Sequence, residues 1–91
     1  MQVPIELKKK YLERRIEDIQ ILISSLENND FEPALKLGHQ VKGNALTFDF
    51  PQIAPIGQQI ELAAKNQNKE ELKALALLMA SEIDRARKLY H

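Results

Sequence analysis

Apolar residues recur at spacings of three and four along nearly the whole chain, and that periodicity limits it to helices. Leu12, Ile16, Ile19, Ile23 and Leu26 form one stripe, on a helix expected from about Pro4 to Asn28. Pro4 suits its first turn, where the missing N–H is not needed. Lys8, Lys9, Lys10, Glu13, Arg14, Arg15, Glu17 and Asp18 fall largely off the stripe and read as a solvated face. The Lys8–Lys10 run equally suits the end of a short separate capping helix. Asn28, Asn29 and Asp30 then make a turn, and Asp30 can cap a second helix by accepting a backbone N–H. Pro33 falls in that helix's first turn, and Ala34, Gly38, Val41, Ala45 and Phe48 form its apolar stripe.

Asp49 and Phe50 break the pattern, and Pro51 is placed to open a third helix. Its stripe is Ile53, Gly57, Ile60 and Ala64, with Ile56 beside it. Pro55 either distorts the first turn or pushes the start later. Asn66, Gln67 and Asn68 form the next turn. Asn68, with Glu71 three residues on, has the spacing of a capping box. A fourth helix follows, with Leu72, Leu75, Ala76, Met79, Ile83, Ala86 and Tyr90 along one face. Met79 at this spacing is core filler. Alternating apolar–polar runs and Asn-Gly or Asp-Gly hairpin signals are absent. Each helix must bury one stripe, and the connections are short. The expected fold is an all-α, antiparallel up-down-up-down four-helix bundle.

Size and charge narrow the function. A chain of 91 residues is expected to be a single domain, 1–91, and a monomer, with no room for a deep substrate cavity. Its 13 basic and 13 acidic residues balance, which lacks the basic excess of a nucleic-acid binder. With no cysteine it has neither disulfides nor thiolate metal sites. No apolar run approaches the ~18–20 residues of a membrane span, and Met1 to Lys10 lacks the apolar stretch of a secretory signal. The expected setting is cytoplasmic. His39 and His91 are the only histidines and no Glu-x-x-His pair exists, so a metal-binding bundle is a weak reading.

The second helix has two faces. At 100° per residue, Ala34, Gly38, Val41 and Ala45 gather on the core side. His39 and Lys42 share another face, flanked by Leu35 and Leu46, with Gly43 beside them. Gly in a helix interior costs about 1 kcal/mol relative to Ala. Gly38 and Gly43 therefore suggest that something needs close access, although Gly38 could serve helix packing alone.

The segment Gly38-His39-Gln40-Val41-Lys42-Gly43-Asn44-Ala45 resembles the signature of histidine-containing phosphotransfer domains: His, two residues, then Lys-Gly and small residues. Tyr11-Leu12-Glu13-Arg14-Arg15 with Asp18 resembles the opening of many members. Asn29-Asp30-Phe31 loosely matches a turn before the histidine helix. Ile56-Gly57-Gln58-Gln59-Ile60-Glu61 stands where the family has a small residue, two variable positions, an aliphatic and a Glu. Asp49 departs, standing where most members have a Gly with left-handed backbone. Asp tolerates that conformation better than most residues.

The resemblance implies a carrier in a two-component phosphorelay, exchanging a phosphoryl group with receiver-domain aspartates and serving hybrid kinases. His39 would accept the group on Nε2, Lys42 would neutralise the phosphoryl oxygens, and Gly43 would leave space. Glu61 would hydrogen-bond Nδ1 of the acceptor. Leu35, Leu46, Gln58 and Lys65 would adjoin the partner. The chemistry is coherent, because a histidine nucleophile needs a neutral Nε2 lone pair and a carboxylate on Nδ1–H fixes that tautomer. No cofactor is implied, since the receiver supplies the metal. The chain has no Gly-rich phosphate loop, so it is expected to be a carrier rather than an enzyme with its own nucleotide site. The alternative is a helical interaction module, never phosphorylated, that docks a receiver or another helix through Leu35, Leu46 and Phe50.

Overall fold

The computed structural model describes residues 3–90. Helices α1 (Ile5–Leu26), α2 (Glu32–Asn44), α3 (Ala54–Lys65) and α4 (Lys69–Lys88) follow one another in chain order, with no strand among the described residues. Consecutive helices pack together and α1 also meets α4, so the four close a ring around one core. The body is elongated, with extents of 38 × 21 × 16 Å. Its length is that of the longest helix plus a turn, since 22 residues at ~1.5 Å each span ~33 Å.

The core is built from the predicted stripes, with corrections. Leu12, Ile19 and Leu26 of α1 are buried, but Ile23 is exposed and Leu22 takes its place. Tyr11 and Arg15 are buried as well, so Arg15 does not belong to the solvated face. Its guanidinium lies over the Tyr11 ring and 2.8 Å from Asp18 Oδ2. Leu37 joins the α2 stripe, but α2 stops at Asn44, so Ala45 is buried as its C-cap and Phe48 lies half-buried in the turn beyond it. Every predicted apolar position of α4 is buried except Tyr90, which is partly so. No separate capping helix exists among the described residues, because α1 runs unbroken through Lys8–Lys10. Pro4 is the N-cap rather than a first-turn residue.

Helix ends explain the connections. Asn29, Asp49 and Gln67 all have left-handed backbone, with φ of 56°, 69° and 50°. Each closes the turn after its helix in the same way. The next residue's N–H reaches back five positions (Asp30 to Ser25, Phe50 to Ala45, Asn68 to Ala63), and the left-handed residue's own N–H reaches back three. These are Schellman stops built without glycine. Asp49 gains a partner in exchange, since its carboxylate lies 3.0 Å from Lys8 Nζ. Phe50, directly after it, is drawn into the core against Tyr11 and Tyr90. Residues 51–53 remain in turns, so Pro51 does not open α3. The helix starts later, with Pro55 in its first turn. Asp30 accepts the Glu32 N–H at 3.1 Å, although Phe31 is the N-cap of α2. Half of the expected capping box of α4 forms: Glu71 N–H donates to Asn68 Oδ1 at 3.1 Å, but Glu71 Oε2 accepts from the Asn68 side-chain Nδ2, because the Asn68 backbone N–H is taken by the Ala63 carbonyl.

Candidate functional site

The site is set by how closely α2 and α3 approach. A Cβ added at Gly38 would lie 2.7 Å from the Gly57 carbonyl oxygen and 2.8 Å from Glu61 Cα. A Cβ at Gly57 would lie 2.8 Å from Lys42 N and from Val41 Cβ. A real Cβ does not come this close to neighbouring atoms, so the two glycines let the helix backbones meet. Gly38 is thus a packing residue. Gly43 is different, because a Cβ there would meet nothing within 4 Å. No internal contact accounts for it.

The close crossing brings Glu61 of α3 under two residues of α2. His39 Nδ1 is 2.8 Å from Glu61 Oε2, and Lys42 Nζ donates to Glu61 Oε1 at 2.7 Å. Each carboxylate oxygen therefore has one partner. The Glu61 side chain is 10% exposed, against 72% for His39 and 43% for Lys42. The Lys42 hydrogen bond, and after it that of His39, hold the Glu61 carboxyl below the usual carboxylate range, against the opposing effect of burial. An ionised carboxylate only accepts, so Nδ1 carries the proton. In the neutral ring the lone pair is then left on Nε2.

Around this triad the surface is mixed. Leu35 is half-buried one turn before His39, and Leu46 is 63% exposed one turn after Lys42. Gln58 and Lys65 are exposed on α3, as expected from their spacing. Leu62 lies between them on the same helical face and is 60% exposed. Sequence reasoning missed it, although an apolar residue off the Ile53–Gly57–Ile60–Ala64 stripe was the available signal. Phe50, assigned to a docking surface in the alternative reading, is 2% exposed and unavailable. Below Gly43, Asn44 Oδ1 accepts the Tyr11 hydroxyl at 2.7 Å and ties the end of α2 to α1. His91 lies outside the described residues. Among the described residues no group of three or more His, Cys, Asp or Glu side chains is placed to hold a metal ion, and no helix is long and apolar enough to cross a membrane.

The family model for the Hpt domain matches residues 6–89, nearly the whole chain. The chain belongs to the Hpt domain family. An Hpt domain is a phosphotransfer module of two-component phosphorelays, and the family works with receiver domains and kinases. The four-helix architecture agrees with that membership. Comparison with curated proteins and with solved structures found no match.

Proposed function

We propose that this Hpt domain carries a phosphoryl group on Nε2 of His39 and exchanges it with receiver aspartates. The observation that carries the reading is the pairing of an exposed imidazole with a buried carboxylate on its Nδ1. Glu61 selects the tautomer whose lone pair is on Nε2, a nitrogen with no hydrogen-bond partner among the described residues. Attack on a receiver's aspartyl phosphate forms the Nε2–P bond and breaks the acyl P–O bond, releasing the aspartate carboxylate. The ring then becomes cationic, and Glu61 faces that charge across the Nδ1–H. No general base is required, because the attacking nitrogen holds no proton. Phosphoryl transfer depends mainly on positioning and charge stabilisation, and the receiver's metal supplies much of the latter.

Docking would use Leu35, Leu46 and Leu62 around the triad, with Gln58 and Lys65 on the α3 side and Gly43 leaving room above α2. The domain itself would serve as an intermediate and bind no cofactor. The test is incubation with a panel of phosphorylated receivers from the same organism. The parent should take up acid-labile, base-stable label, and His39→Gln should take up none while keeping its fold. Silence of the parent across the panel would favour an unphosphorylated docking module. Label persisting in His39→Gln would move the acceptor elsewhere.

A further inference from the structure

The docking surface contains a stretch that the helix ladder does not hold. The Ala45 N–H reaches Val41 and the Phe48 N–H reaches Asn44, but neither the Leu46 nor the Thr47 N–H meets a backbone carbonyl among the described residues. The carbonyls of Lys42 and Gly43 are left without a backbone partner by the same lapse. Gly43 itself favours the helix weakly. Leu46 is carried on this stretch, exposed and about two turns after His39. The Asp49 and Phe50 N–H groups bond back to Leu46 and Ala45, which closes the turn without tying it to another helix.

One side chain of α1 holds the stretch from beneath. Tyr11 is buried and donates its O–H to Asn44 Oδ1 at 2.7 Å, before the lapse. Its ring stacks on Phe48 beyond the lapse, with centroids 4.5 Å apart. No other side-chain hydrogen bond reaches residues 43–48 among the described residues. Burial pushes the Tyr11 phenol up, so it keeps the proton it donates. The ring is itself fixed, with Phe50 stacked at 5.7 Å and the Arg15 guanidinium over it at 4.7 Å. Arg15 in turn pairs with Asp18. The Tyr11–Asp18 segment of α1 thus forms a rigid support under the end of α2, on the side away from Glu61.

We propose that Tyr11 is a positioning residue for receiver docking: by clamping Asn44 and Phe48 on either side of the lapse, it sets where Leu46 stands relative to His39. This role rests on His39 exchanging phosphate with receivers. It belongs to the docking step and leaves the reactivity of the ring to Glu61, which holds Nδ1 from α3.

The test compares the parent with Tyr11→Phe, which keeps the stacked ring and removes only the hydroxyl, with Asn44→Ala, with Leu46→Ala, and with Tyr11→Phe and Leu46→Ala combined. Transfer from a phosphorylated receiver is followed as the receiver concentration is varied. Labelling by phosphoramidate, a small donor that needs no docking surface, is followed in parallel. Tyr11→Phe and Asn44→Ala should each raise the half-saturating receiver concentration about fivefold, the scale of one net hydrogen bond. Their maximal transfer rate and phosphoramidate labelling rate should stay those of the parent. Leu46→Ala should raise the half-saturating concentration at least as much, and adding Tyr11→Phe to it should raise it no further, because the hydroxyl acts through that side chain. A purely structural hydroxyl would lower the thermal midpoint and leave the half-saturating concentration unmoved. A parent-like value in Tyr11→Phe or in Asn44→Ala would therefore overturn the proposal, as would multiplied effects in the combined variant or slowed phosphoramidate labelling in Tyr11→Phe. If the parent takes up no label from any receiver, the exchange reading itself fails and this positioning role fails with it.

Discussion

Replacing each α2 glycine by alanine should move stability in opposite directions. At Gly43 the new methyl enters open space, so only the gain in helix propensity remains, about 1 kcal/mol. At Gly38 the same gain is opposed by a clash with backbone of α3. The Cβ would come nearest the Glu61 backbone nitrogen and lie 2.7 Å from the Gly57 oxygen, and ordinary contact requires about 3.5 Å, so the helices must part by more than ~0.8 Å. Backbone cannot rotate aside as a side chain can, which places the cost near the upper end of the ~1–3 kcal/mol range for overpacking. The net expectation is about 2 kcal/mol of destabilisation. Urea unfolding would read both from the shift in midpoint at unchanged slope, and the thermal midpoint should move by ~4–8 °C per kcal/mol for a domain of this size. Gly38→Ala should also loosen the His39–Glu61 contact, seen as a change in the His39 ring ¹⁵N shifts that Gly43→Ala lacks. A Gly38→Ala protein as stable as Gly43→Ala would refute the claim that a glycine contact sets the helix spacing.

Other expectations follow from the same geometry. Gly43→Gln should fold at least as well as the parent yet accept phosphate from a receiver more slowly, and equal transfer rates would remove the case for a partner above Gly43. Gln67→Gly should stabilise the fold by about 1 kcal/mol, because a non-glycine residue at φ 50° carries a left-handed penalty of ~1–2 kcal/mol. Asp49→Gly should gain less, since it also loses the Lys8 ion pair; thermal melts of the two variants compare them directly. Glu61 has a depressed folded-state pKa, so it contributes stability above its unfolded value, near ~4.3, and loses it as pH falls through the lower folded value. Urea titrations across that acidic window should show a smaller loss in Glu61→Gln than in the parent, and identical slopes would deny that the carboxylate is held by Lys42 and His39.

The helices were legible because their stripes are long and regular. The α4 stripe from Leu72 to Ala86 was read without error, since nothing in that segment competes with the 3.6-residue period. The α1 stripe was less secure because two apolar series overlap in Ile16–Leu26, and only the neighbouring helices determine that Leu22 rather than Ile23 turns inward. Arg15 looked like a surface charge because burial of a guanidinium depends on partners at Tyr11 and Asp18 that a stripe count ignores. Among the candidate site residues, His39, Lys42 and Glu61 were named from the sequence and are brought into contact. The direction of Lys42 was not legible, because an i, i+3 spacing places an ammonium on a face without saying which carboxylate takes it. Leu62 was hidden for a related reason. Its exposure depends on where α2 and α4 leave α3 uncovered.

Phosphotransfer through this domain turns on one nitrogen, Nε2 of His39. Uniformly ¹⁵N-labelled protein, phosphorylated by a receiver and examined by ³¹P and ¹⁵N NMR in mildly alkaline buffer, locates the phosphorus directly. The expected result is a single phosphoramidate signal coupled to Nε2 of His39, with Nδ1 still protonated against Glu61. Phosphorus on Nδ1, on another residue, or on no residue after exposure to a full panel of phosphorylated receivers would contradict it.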